Sequence, residues 1–202
     1  MVRVAVLVSG GGTGLQSLLD AEKRGELGQA TIALVISNRK AAYALERAKN
    51  AGVPTKVLSK AMEPDPERYD ERLLAILQEN GIELIALAGF LQILGQRTVA
   101  AYENRIINIH PSLIPSFCGK GYYGLRVHEE ALKRGVKVTG ATAHLVNLGV
   151  DEGPILLQKA VEVREGDDAP TLQRRVMEQA EWIILPQAVR LVADRWTKED
   201  AR

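Results

Sequence analysis

One cysteine, Cys118, is all this 202-residue chain contains, so no internal disulfide can form and a reducing cytoplasm is the expected setting. An excess of charge is missing too. With 26 basic and 25 acidic residues the net charge is +1, which argues against a binder of nucleic acid backbone and leaves only a local basic patch open. Long apolar runs are absent. The opening "VRVAVLV" is too short for a signal peptide's hydrophobic region and runs straight into glycines, and the later "LIALAGFLQIL" falls well short of a membrane span. The three histidines and one cysteine show no metal-ligand spacing. No serine sits in a nucleophile elbow. The expectation is a soluble cytoplasmic protein acting on small molecules, with no metal, nucleic acid or membrane partner.

What is present organises itself readily. At 46% hydrophobic residues the chain can bury a sizeable core. Residues 2–8 form a continuous β-branched run, expected of a strand covered on both faces. A helix is expected from the glycine loop "SGGGTG" to Gly25, with Thr13 and Gln16 at capping-box spacing. Strand patterns follow at 31–37, 54–59, 82–89 and 104–110, with helices at 42–52 and from Asp65–Pro66 to Asn80. This alternation predicts an α/β fold, a Rossmann-like, mostly parallel sheet with helices on both faces. Beyond it, a helix at 127–135, two strands at 136–146 and 154–163, and a last helix from Thr171 to about Arg195 suggest an antiparallel addition. Pro186 is expected to kink that last helix. No linker or repeat separates the halves, so one domain over 1–202 is expected.

Three features carry chemistry. The glycine loop joins a buried strand to a helix start, where free amides and the helix dipole favour an anion, although a tight turn needs glycines as well. It lacks the lysine ending of a P-loop and the full dinucleotide spacing, so a single phosphate fits it better than a pyrophosphate. In "NIHPSL", Asn108 and His110 lie two apart on a strand, on one face and at the C-terminal end where open sheets bind ligands. Pro111 ends the ladder there. An amide and an imidazole aimed at one point suit an oxygen that turns negative during reaction, though a strand-end histidine can equally be scaffold. Asp151, in "NLGVDEGP", is either a turn former or a carboxylate that approaches His110 and keeps it protonated. His128 is read as capping or decorating a helix start and His144 as a core histidine.

"NIHPSLIPSF" followed by "GVKVTGATAHLVNLGVDEGPILLQ" strongly resembles the folate-dependent formyltransferases, in the family's order and over nearly the whole chain. "VLVSGGGTGLQSLL" and "IALAGFLQIL" narrow the resemblance to members that formylate glycinamide ribonucleotide in purine synthesis. It implies transfer of formyl from the co-substrate 10-formyltetrahydrofolate to the substrate's amine, by direct attack. His110 and Asn108 would stabilise the oxyanion, His110 would supply a proton, and Asp151 would assist the relay. Gly12, Thr13 and Gly14 map onto the phosphate loop, with Gly14 where many members have Asn. Leu91, Gln92, Ile93 and Leu94 map onto the pterin-binding segment, and Asn147 to Asp151, including Val150, onto a loop closing over the ring. Asn108 would touch folate as well. A ribose-binding Glu maps onto Glu181 counting back from Pro186, but onto Ala180 counting forward from "RRV". Arg68 stands nearest the family's folate-contacting basic residue, and Lys120, in a longer insert, is a further candidate for phosphate or folate glutamate. The phosphate-binding part would occupy about 1–100 and the catalytic and folate-binding part about 101–202, in a monomer or homodimer.

Rival readings are a formyltetrahydrofolate hydrolase, which usually carries an N-terminal regulatory domain, and methionyl-tRNA formyltransferase, a longer chain with an RNA-contacting domain. A non-catalytic phosphosugar or folate binder is the third.

Overall fold

Side-chain alternation along the first strand decides the layering. In β1 (Val2–Val8), Val4, Val6 and Val8 pack on one side with Leu15, Leu18 and Val189. Ala5 and Leu7 point to the other, against Leu73, Leu77 and Tyr102. The computed structural model, which describes residues 1–199, therefore has a sheet clothed on both faces. Its seven strands are β1, β2 (Ala30–Ser37), β3 (Thr55–Val57), β4 (Leu84–Leu87), β5 (Ile106–His110), β6 (Val138–Leu145) and β7 (Ile155–Glu162). They lie in the order β3-β2-β1-β4-β5-β6-β7. The first five are parallel, and β6 and β7 extend the sheet antiparallel. This is the mostly parallel α/β fold with an antiparallel addition that the residue pattern predicts.

The helices are α1 (Thr13–Lys23), α2 (Tyr43–Asn50), α3 (Pro66–Glu79), α4 (Gln96–Ala101), α5 (Leu125–Arg134), α6 (Ala169–Val176) and α7 (Trp182–Glu199). Asp65 caps α3 as its position before Pro66 implies, accepting from the Glu67 and Arg68 amides. One expectation fails. No capping box closes α1: Gly12 is the cap residue, in a left-handed conformation, and no side chain among the described residues accepts from the first turn. The last helical stretch runs as α6 and α7 with a π-helical turn over Met177–Glu181 between them, and Pro186 lies inside α7.

One helix, α4, has no counterpart in the sequence reading, and the reason is physical. Its cap comes from another element. Asp70 of α3, 5% exposed, accepts hydrogen bonds from the Arg97 amide at 2.8 Å, the Thr98 amide at 3.2 Å and the Thr98 hydroxyl. Asp70→Ala leaves these buried donors unpaired and should lower the unfolding free energy by about 2–3 kcal/mol. Urea unfolding checks this, and an unchanged midpoint refutes the assignment.

Candidate active site

The chain winds outward from β1 through β2 to β3, then returns to lay β4 on the other side of β1. Loops leaving β1 and β4 at their C-terminal ends must diverge there, and ligands of open α/β sheets bind in that crevice. A cleft of about 600 Å³ opens at this point. Its walls come from the glycine loop, the segment after β4, the end of β5 and the loops after β5 and β6.

Asn108 and His110 reach the cleft from one face of β5. The loop after β6 returns Asp151 to meet them. That return is tight: the Leu145 amide donates to the Pro154 carbonyl at 2.8 Å, and a Cβ on Gly153 would collide with the Leu145 carbonyl. Asp151 Oδ2 then lies 3.5 Å from His110 Nδ1 and accepts from the Gly119 amide at 2.9 Å. Asn108 Nδ2 donates to Asp151 Oδ1 at 3.4 Å and pairs with His144 Nε2 at 3.1 Å. Both Asp151 and Phe117 hold left-handed backbone, at φ 60° and 51°. Such strain costs about 1–3 kcal/mol per residue and gathers at functional sites.

The ring of His110 is oriented by a carbonyl. Nε2 lies 2.9 Å from the Phe117 oxygen, which can only accept, so Nε2 carries hydrogen. Nδ1 is left as the proton-accepting nitrogen, facing Asp151. Burial lowers the His110 pKa below the ordinary imidazole value. The Phe117 carbonyl and Asp151 oppose burial without offsetting it, and His144 adds to the lowering. The expectation that Asp151 keeps this imidazole protonated is thereby corrected, because desolvation at 4% exposure outweighs the carboxylate. Burial pushes Asp151 upward, but His144, the Gly119 amide and His110 hold it below the ordinary carboxylate range.

The glycine loop lines the same cleft. The first intrahelical bond of α1 runs from the Gln16 amide to the Gly12 carbonyl, so the amides of the first turn stay free. Gly12, at φ 73°, is irreplaceable for a second reason: a Cβ there would stand 2.5 Å from the Ala44 Cβ. Gly14 offers its backbone alone, its Cα backed against Ala88.

Glu181 lines the cleft with no hydrogen-bond or ion-pair partner among the described residues, and burial pushes its carboxyl up to about 7. The two candidates from the sequence, Ala180 and Glu181, both lie in the π turn over Met177–Glu181. Ala180 is fully buried in the core, and Glu181 turns to the cleft.

Leu91, Gln92, Ile93, Leu94, Asn147 and Val150 all line the cleft, with Leu91 and Ile93 largely exposed at its mouth. Lys120 lines it too. Arg68 does not. It is exposed on the first turn of α3, where its amide is held by Asp65. Sequence reading missed Tyr122, Tyr123, Gln173 and Met177 as cleft residues, and loop and helix-end positions of this kind carry no period. His144 is a buried histidine, as read, but it also contacts Asn108 and Asp151. His128 does not decorate a helix surface. It is fully buried, neither ring nitrogen has a partner among the described residues, and burial, with His110 nearby, drives its pKa down to about 4. Among the described residues no group of three or more His, Cys, Asp or Glu is set to hold a metal ion.

An open α/β sheet with Asn108, His110, Asp151 and an uncapped helix start in one cleft has its polar groups where such sheets bind small ligands. The chain belongs to the formyl transferase family, whose model matches residues 2–189. It is 43% identical over 191 residues to the human trifunctional purine biosynthetic protein adenosine-3, covering 95% of this chain and 18% of that protein. To the chloroplastic phosphoribosylglycinamide formyltransferase of Arabidopsis thaliana it is 36% identical, over 88% of this chain and 61% of the relative. The crystal structure of glycinamide ribonucleotide transformylase 1 from Symbiobacterium toebii superposes with a TM-score of 0.90 at 45% identity, covering 96% of this chain and 89% of that one. The chain thus spans under a fifth of the human protein's length.

The three histidines allow a direct check of the electrostatics. In an NMR titration His110 should titrate below the ordinary 6.5. Asp151→Asn removes a charge that favours imidazolium, so the His110 midpoint should move lower still. An upward move would overturn the assigned coupling.

Proposed function

We propose that this cleft transfers formyl from 10-formyltetrahydrofolate to the amine of glycinamide ribonucleotide, a step of purine synthesis, in a cytoplasmic setting. The observation that carries the reading is the trio Asn108, His110 and Asp151 gathered beside an uncapped helix start in one cleft. The printed names of the relatives point the same way.

In this reading the free amides at Gly12, Thr13 and Gly14 receive the phosphate, and Glu181 accepts from the ribose hydroxyls. The pterin lies against Leu91 to Leu94, under the loop from Asn147 to Asp151. The amine attacks the formyl carbon and the carbonyl electrons move to oxygen. Asn108 donates to that oxyanion by giving up its long 3.4 Å bond to Asp151 and keeping the contact with His144. Neutral His110 Nδ1 takes the proton the amine must lose. The imidazolium so formed directs its new N–H at Asp151, and its positive charge stabilises the oxyanion beside it. Collapse of the intermediate breaks the bond to the folate nitrogen, which leaves with that proton, relayed by Asp151 through water. No covalent enzyme intermediate is needed, since juxtaposing amine and formyl removes much of the barrier.

Loss of formylfolate, followed by absorbance with and without the ribonucleotide, tests the proposal. Acceptor-dependent loss supports it, acceptor-independent loss would indicate a hydrolase, and none a binder. His110→Ala and Asp151→Asn should each lower kcat by about 100-fold or more with KM within a few-fold. Near-normal turnover in either refutes that residue's role.

A second test concerns Glu181. An ionised carboxylate accepts from hydroxyls more strongly than a protonated one. The KM for the ribonucleotide should therefore fall as pH rises through about 7, and Glu181→Gln should abolish that dependence. A KM independent of pH in the parent enzyme would remove Glu181 from the ribose site.

A further inference from the structure

The glycine loop is braced from behind by a residue outside the cleft walls. Arg47 of α2 donates from Nε to the Gly11 carbonyl at 2.8 Å and from Nη1 to Gln16 Oε1 at 3.0 Å, with its guanidinium 5.0 Å from the Tyr43 ring centre. It sits in a smaller cavity of about 290 Å³ on the far side of Thr13. In a trans peptide the carbonyl and the following N–H point in opposite directions. Drawing the Gly11 carbonyl back toward Arg47 therefore turns the Gly12 amide forward. The Ala44 amide holds the Gly10 carbonyl in the same way, at 3.1 Å.

Charge gives a second reason to attend to this residue. Lys120 is the one Lys or Arg among the described residues lining the main cleft. A phosphate monoester carries roughly −1.5 to −2 at neutral pH, and a helix start contributes only about half a positive charge.

We infer that Arg47 is a positioning residue for the phosphate of the substrate: it aims the Gly12 amide and sets a cation behind the loop, so that the cleft prefers a phosphorylated sugar to its dephosphorylated form. This rests on the ribonucleotide reading above and names the source of that preference.

Steady-state kinetics of Arg47→Ala, with ribonucleotide and its dephosphorylated riboside as alternative acceptors, tests the inference. The KM for the ribonucleotide should rise about tenfold, and the preference for phosphorylated over dephosphorylated acceptor should fall by the same factor. Values of kcat and of the formylfolate KM should stay within about twofold. Arg47→Lys should recover part of the preference through charge alone, while Lys49→Ala, on the exposed side of the same helix, should change nothing. An unchanged preference in Arg47→Ala, or an equal loss toward both acceptors, overturns the inference. Calorimetry with ribose 5-phosphate on the full chain separates this from failure of the reaction itself. If the parent protein transfers no formyl yet binds the sugar phosphate about tenfold more tightly than Arg47→Ala, the ribonucleotide reading falls and the role of Arg47 stands. Equal binding, or no binding by the parent, overturns the role of Arg47.

Discussion

The carboxylate of Asp151 is the interaction on which this cleft depends. It closes a ring of contacts with the His110 imidazole, the Asn108 amide, His144 and the Gly119 N–H, drawing together the end of β5 and the loops that follow β5 and β6. Nearly buried, such a charge is tolerable only because every side of it meets a donor or an imidazole. The left-handed backbone at Asp151 itself and at Phe117 is the strain accepted to complete the ring.

The ring also sets the division of labour proposed for the histidine. With Nε2 committed to a carbonyl, the imidazole cannot flip tautomer freely, and Nδ1 is held toward Asp151. Burial disfavours a proton on that nitrogen, and the neighbouring carboxylate favours one. A base that is neutral at rest and stabilised when charged is what a direct amine attack requires.

In the proposed reading, the phosphate meets backbone amides of the glycine loop. The glycine loop reaches the cleft with unpaired amides because no side chain caps α1 and because Gly12 fits against Ala44 where a Cβ would not. Arg47 braces the Gly11 carbonyl of the same loop, and the role inferred for it acts through the direction of that peptide unit.

Much of this was legible in the residue order because it follows from short-range rules. Period-two alternation put Asn108 and His110 on one face, a continuous apolar run announced a doubly covered β1, and Asp65 before Pro66 announced a helix start. Features that needed contacts between distant residues were not legible. The α4 cap comes from Asp70, over twenty residues upstream. Arg68 has the charge expected of a folate contact but is exposed on the first turn of α3 and does not line the cleft. The choice between Ala180 and Glu181 turned on which side chain the fold buries in the core, and the protonation preference of His110 on how much protein surrounds it. Local chemistry specifies which side chains stand at a strand end. Only the folded chain fixes their distances, their solvent and therefore their charge.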